Sequence, residues 1–374
     1  MIELRVHGRV GEIGQDAWDR LAAVAEAPFL RFAWLDALER TGCVSPERGW
    51  LPQHLAFHED GELVAVAPAY LKGNSEGEFV FDHSWAHLAE RLGIEYFPKL
   101  ILAVPFTPAT SPRLLVAAPS LRSRLVPALG EALGRLVELH DISSAHVLFP
   151  TAEEATLLSQ AGLFERHGVQ FQWTNQGYSS FDDFLRTFDS KRRNQIRRER
   201  REARKGLSFE ICYGDDITEE VVEAMYRFYL ATVDKFLWGR RYLNREFFFE
   251  VCSTMRDAIQ IVIVRDGQNR IVAGAFNLFG GDVLYGRYWG CDEPIPFLHF
   301  EVCYYLGIEA CIERKLQRFE PGAGGEHKRA RGFLPTVTYS SHLLREPRFR
   351  AIVAAHVARE RKHIADMIAE DRSR

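Results

Sequence analysis

AIQIVIVRDGQNRIVAGAFNLFGGDVLYGRYWG, residues 258–290, consists of three runs rich in β-branched and aromatic residues, held apart by two turn signals. Asp266-Gly267 and Gly280-Gly281 are pairs that tolerate positive φ, which a tight connection between antiparallel strands requires. The stretch therefore reads as a three-strand meander. Upstream of it, LSFEICYG is a strand, and residues 217–235 and 244–256 carry the apolar periodicity of helices. Downstream, 297–314 is helical, LQRFEP is a strand and 347–371 is a last helix.

The first half of the chain carries the same series. Residues 2–10 alternate as a strand, and DAWDRLAAVAE and RFAWLDALERTG have helical periodicity. HLAFHEDGELVAVAPAYLK is a hairpin turning at Asp60-Gly61. A helix near 84–92 is inserted before the strands KLILAV and RLLVAA. A long helix at 121–139, the strand AHVLFP, a short helix at 152–161 and an extended stretch at 164–175 complete the half. Strand, two helices, meander, helix, strand thus occurs twice. That is the element order of the GNAT acyltransferase fold in tandem: an α/β (α+β) chain with two twisted mixed sheets, each flanked by helices. The expected domains are 1–176 and 177–374, the second including a basic helix at 181–204 and the C-terminal helix at 347–371.

The 374 residues suffice for two ordinary domains, and 47% hydrophobic against 26% charged residues is globular composition. A net charge of −4 excludes a global field drawing the molecule to nucleic acid, so any basic function must come from a local patch. The six cysteines form no C-x-x-C pair and read as reduced thiols. MIELRVHGRVGEIGQDAW has no basic segment followed by an apolar core, and no apolar run approaches membrane-spanning length. The expected location is cytoplasmic.

Three ordered motifs, YFPKLILAVPFTPATSPRLL, LYGRYWGCDE…LHFEVCYYLGIEACIE and FEPGAGGEHKRARGFLP, together resemble the FemAB-like proteins of bacteria, described as peptidoglycan-biosynthesis-related N-acyltransferases. The resemblance runs over nearly the full chain. It departs from the expected pattern at Gly324, where a glutamine is expected, and at His83, where an aromatic residue is expected. It implies transfer of an acyl or aminoacyl group, from a carrier such as aminoacyl-tRNA, to an amine acceptor, with no cofactor.

The glycine run before Lys328 is not a phosphate cradle, because His327 precedes the lysine and Arg329 follows it, where a P-loop needs Gly and Ser/Thr. Instead, Gly322, Gly324 and Gly325 permit a sharp turn that presents Glu326, His327 and Lys328. Aminolysis of an ester needs a base for the amine and a cation for the developing oxyanion. Glu326 or His327 is the candidate base, and Lys328 or Arg331 the candidate charge stabiliser. Neither a cysteine nor a serine stands in a nucleophile setting, so no covalent enzyme intermediate is implied. LYGRYWGCDEPIPFLHFE adds Tyr285, Arg287, Trp289, His299 and Glu301 as candidates for binding donor or acceptor, with Tyr285, Arg287 and Trp289 expected on one strand face. The proline-rich loop PFTPATSPRLL adds Thr107, Thr110 and Arg113, with a rigid connector as the plainer reading.

KRRNQIRRERREARK, residues 191–205, sets nine Lys/Arg against two Glu. The plain reading is a solvated face; the functional one is an RNA phosphate ridge built from Arg192, Arg193, Arg197, Arg200, Arg201 and Arg204. His83 and His87 have zinc-compatible spacing but no third ligand nearby, so no metal is expected. The segment WGCDEPIPFLHFE stands where a GNAT enzyme places its glycine-rich pyrophosphate turn, yet it offers two prolines and two acids. Acetyl-CoA as donor is therefore the first rival reading, and a non-catalytic protein binding RNA or a cell-wall precursor is the second.

Overall fold

The computed structural model describes residues 2–235 and 239–372, with only the backbone described at Glu326 and Arg372. The chain forms two compact units, one of residues 1–170 with 336–374, the other of residues 171–335. The expected division at 176/177 therefore misplaces the C-terminal segment. A strand not foreseen from the sequence, Leu334–Leu344, pairs antiparallel with Ser144–Leu148 of the first unit. The helix Pro347–Arg372 buries Phe349, Val353 and Val357 against Trp85, Ala89 and Tyr96. Long-range strand pairing and an apolar helix face, rather than chain order, assign the last segment.

In the first unit, strands Ile2–His7, His54–Glu59, Glu62–Ala67 and Leu115–Val116 form one sheet. Trp50–Pro52, Ala69–Lys72, Lys99–Leu102 and Ser144–Leu148 lie side by side in another, the last two parallel. Helix Arg122–Leu139 covers the apolar side with Leu125, Leu129, Leu133 and Val137.

The second unit is the better-ordered reading of the sequence. Ser208–Tyr213, Ile259–Arg265, Ile271–Gly280 and Val283–Cys291 run antiparallel, each to the next. Arg318–Glu320 then pairs parallel to the last of them. Thr218 and Asn244 cap the two helices before the meander, accepting from the N–H of Val221 and Phe247. The basic helix expected over 181–204 is two helices, Phe181–Leu185 and Ser190–Ala203. Asp189 divides them: its extended backbone starts a new helix and its carboxylate accepts from Arg192 N–H at 2.8 Å. The helix expected over 297–314 is interrupted by a π-turn at Glu301–Tyr305. With this order present in the second unit and the parallel pair repeated in the first, the architecture is the tandem GNAT-like one. Among the described residues, no helix is long and apolar enough to cross a membrane.

Candidate active site

The parallel pairing in the second unit stops at Tyr285 opposite Glu320. Strand Val283–Cys291 continues, while the chain after Glu320 turns away through Pro321, and a cleft of about 510 Å³ opens beside the splayed strands. The two segments stay close there, and a Cβ on Gly286 would sit 3.2 Å from Pro321 Cα, a tight contact that the backbone would have to yield to.

The side chains entering the cleft are set by a bulge. Phe276 pairs with Tyr288 but Asn277 pairs with Gly286, so Arg287 is the extra residue. The alternation restarts after it. Trp289 then shares the face of Gly286 and Asn277, whereas Tyr285 falls with Tyr288 on the other, and the expected common face of Tyr285, Arg287 and Trp289 does not form. Tyr285 is buried, 4% exposed, and is not among the cleft residues.

Arg287, Trp289, His299, His327 and Lys328 all line the cleft, with Tyr229, Asn277, Tyr288 and Tyr304. The His327 ring lies 2.9 Å through Nε2 from the Tyr304 hydroxyl. His299 stands between Trp289 and His327, with ring centroids at 5.2 and 5.9 Å. Burial, joined by the charges of His327, Lys328 and Arg331, lowers His299 to about 4. Burial first, then Arg331 and Lys328, also lowers His327, so both imidazoles are neutral at pH 7. Lys328 is 2% exposed, and its Nζ donates to Gly322 O at 2.7 Å and Ala323 O at 3.3 Å. Burial lowers it to about 8, which leaves it mostly cationic at neutral pH. Lys235, Arg287 and Lys328 give the cleft three cations, and among the described side chains lining it there is no carboxylate. Cys303 also lines it, but burial pushes that thiol well up, away from thiolate chemistry.

Several expected site residues do structural work elsewhere. Glu301 is wholly buried and holds Arg200, at 2.9 Å, and Arg204. Arg331 is 5% exposed, bonds to Glu199 Oε2 at 3.0 Å and His327 O at 2.8 Å, and is not among the residues lining the cleft, so it steadies the loop. The side chain of Glu326 lies outside the described residues. Thr107, Thr110 and Arg113 belong to the first unit. There, Arg113 is wholly buried and donates to Leu148 O, Ser111 Oγ and Ala109 O, while Thr107 donates to Pro105 O, so the loop 105–113 folds inward as a connector.

The RNA ridge is likewise reduced. Arg192 donates to Ala330 O, Arg193 to Phe188 O and Arg197 to Asp182, and Arg200 grips Glu301 and Glu309. Of the six arginines, Arg197, Arg201 and Arg204 remain exposed. Tyr304 and Glu199 were missed from the sequence. Glu199 did leave a signal: with Ile196 and Ala203 it forms the one buried stripe of an otherwise polar helix.

No phosphate turn is present before the helix starting at Leu298. Pro294 and Pro296 lack N–H groups, and those of Leu298, Phe300 and Glu301 donate to Ile295 O, Phe297 O and Phe297 O. Asp292 in the same loop faces Arg227 at 3.2 Å.

Gly325 has φ +89°, and a Cβ there would come within 2.7 Å of the His327 ring. Gly325→Val is expected to displace that imidazole, seen as large NMR shifts of the His327 ring signals with the remainder of the spectrum retained.

The similarities of the chain follow the same architecture. The structure of FemX matches with a TM-score of 0.53 and 11% identity, covering 94% of this chain and 100% of that one. The C-terminal domain of a putative lysylphosphatidylglycerol synthetase from Agrobacterium fabrum matches at 0.54 and 14% identity, over 91% of this chain and 94% of that one. A conserved protein of unknown function from Bacteroides thetaiotaomicron matches at 0.52 and 10% identity, over 92% of this chain and 100% of that one. At these identities the likeness is one of fold. No individual curated protein matches the sequence. The family model described as peptidoglycan biosynthesis/recognition matches residues 9–374, and the chain therefore belongs to the FemAB-like family.

Proposed function

We propose that the protein is an N-acyltransferase that moves an aminoacyl group from a carrier, aminoacyl-tRNA, to an amine acceptor in the cleft of the second unit. The observation that carries the reading is the pairing of a neutral His327 with a cationic, buried Lys328 on one wall of a cleft without described carboxylates. In the reaction the acceptor nitrogen bonds to the ester carbonyl carbon, the ammonium formed loses its proton, and the carrier hydroxyl departs with a proton. His327 takes the nitrogen's proton, with Tyr304 fixing its ring, and Lys328 stabilises the oxyanion. Arg287 and Lys235 suit the anionic groups of either substrate. Trp289 and Tyr288 offer aromatic surface to a base or an acyl chain.

Pro294 and Pro296, with the occupied amides of Leu298, Phe300 and Glu301, favour this donor over coenzyme A. Acetyl-CoA at millimolar concentration is expected to leave Tm unchanged, since a ligand stabilises only through its affinity for the native state. A saturable rise would make coenzyme A the donor. Release of free tRNA from a panel of charged tRNAs, with an amine acceptor present, tests the transfer directly. Arg197→Glu with Arg201→Glu is expected to weaken tRNA binding and flatten its salt dependence by about one unit per lost phosphate contact.

A further inference from the structure

The basic helix Ser190–Ala203 carries one acid that does not behave like its neighbours. Glu199 is 1% exposed, and its carboxylate accepts from the Tyr305 hydroxyl at 2.6 Å, Arg331 NH2 at 3.0 Å and Gln195 Nε2 at 3.2 Å. Arg331 in turn reaches His327 O through NH1 at 2.8 Å. Its guanidinium lies 3.3 Å from the centroid of the Phe300 ring. Phe300 stacks on Tyr304 at an interplanar angle of 18°, and Tyr304 closes the circuit on the His327 ring. A second link from the same helix joins Arg192 to Ala330 O. His327 is thus held at its carbonyl through Arg331 and at its imidazole through Tyr304.

We infer that Glu199 is a positioning residue, and that the basic helix serves as the anchor for the 326–331 loop, setting where His327 and Lys328 point into the cleft. A buried acid among nine basic residues has this explanation, and a solvated or RNA-binding face does not require one. The arrangement costs little at the moment of reaction, because the loop is already ordered by a charge-assisted bond and two aromatic contacts. Among the described side chains, those facing the His327 ring are Tyr304, His299, Phe300, Lys328 and Arg331, and the charge of Arg331 is paired there with Glu199.

The test reads His327 without any assay of turnover, so its outcome is separate from that of the proposed transfer reaction. Imidazole NMR of the full chain gives the His327 titration, and hydrogen exchange gives the protection of amides 327–333. Glu199→Gln leaves Arg331 uncompensated, and the His327 midpoint is expected to fall by about half a unit or more. Arg331→Gln removes the cation and should move it upward by a similar amount. Both should speed exchange of the loop amides by about tenfold or more. Arg331→Lys keeps the charge but cannot bridge Glu199 and His327 O together. It should leave the midpoint near wild type while the exchange still rises, and it serves if Glu199→Gln fails to fold. Arg198→Gln, exposed on the same helix, should change neither readout. Equal or absent midpoint shifts in the two neutral variants, or unchanged loop exchange in Arg331→Lys, would overturn the anchor.

Discussion

Lys328→Met is expected to lower the rate of the proposed aminoacyl transfer by about a hundredfold or more, the scale of losing one group that stabilises an oxyanion. The loss appears in kcat, because charge on the carbonyl oxygen develops only in the transition state. Stability changes by about 1–2 kcal/mol at most, since methionine keeps the stem and only the bonds to Gly322 O and Ala323 O are removed. The pH dependence identifies the roles. Lys328 is cationic below about 8 and loses its charge above, so the wild-type rate falls as pH rises through that value. His327, lowered from 6.5, must be neutral to accept a proton, so the rate falls on the acid side as pH drops below its midpoint. The expected profile is a bell whose alkaline limb should vanish in Lys328→Met. A variant that keeps the wild-type rate and both limbs removes Lys328 from the mechanism.

The second large effect is one of stability, in the first unit. Lys99 is wholly buried, with Nζ 2.9 Å from Glu78 Oε2, bonded also to Asp82, and 3.1 Å from Ser75 Oγ. Tyr96 donates to the same Asp82 oxygen at 2.6 Å. Burial opposes ionisation of both acids. At Asp82 the charge of Lys99 prevails and holds the carboxyl at about 2, whereas at Glu78 burial prevails and raises it to about 7. The two acids share the Lys99 ammonium, and Asp82, bonded to Tyr96 as well, takes the larger part of it. Lys99→Met is expected to cost about 3–5 kcal/mol at pH 8, because two buried carboxylates lose their cation. In the variant, burial without the Lys99 charge is expected to raise both acids above their unfolded values. Its stability is then fully present below about pH 4 and is lost as pH rises through the raised midpoints. Urea midpoints at pH 5 and pH 8 should therefore differ more in Lys99→Met than in wild type, with the variant recovering toward acid. An equal deficit at both values would assign the loss to packing alone.

Local chemistry was legible where neighbours in the chain are neighbours in space. The meander is written in Asp266-Gly267 and Gly280-Gly281, and the observed strands Ile259–Arg265, Ile271–Gly280 and Val283–Cys291 end at those pairs. The glycine run before His327 marks a segment with φ of +87°, +73° and +89° at Gly322, Gly324 and Gly325, and its two next described side chains do face a cleft. The helix break at Asp189 was not expected from the sequence, although an Asp-Ser pair caps more readily than it continues a helix.

What escaped depends on partners distant in the chain. Strand Leu334–Leu344 finds its register on Ser144–Leu148, where His146 and His342 meet across 196 residues, and no periodicity announces such a pairing. The bulge at Arg287 reverses the faces of Tyr285 and Trp289, and it exists because strand Ile271–Gly280 sets the register opposite. The arginines of the basic helix look alike in sequence, yet burial gives Arg200 to Glu301 and Glu309 and leaves Arg201 in water. A charge keeps its chemistry in the sequence, but its work depends on the dielectric and the counter-charge around it, and these come only with packing.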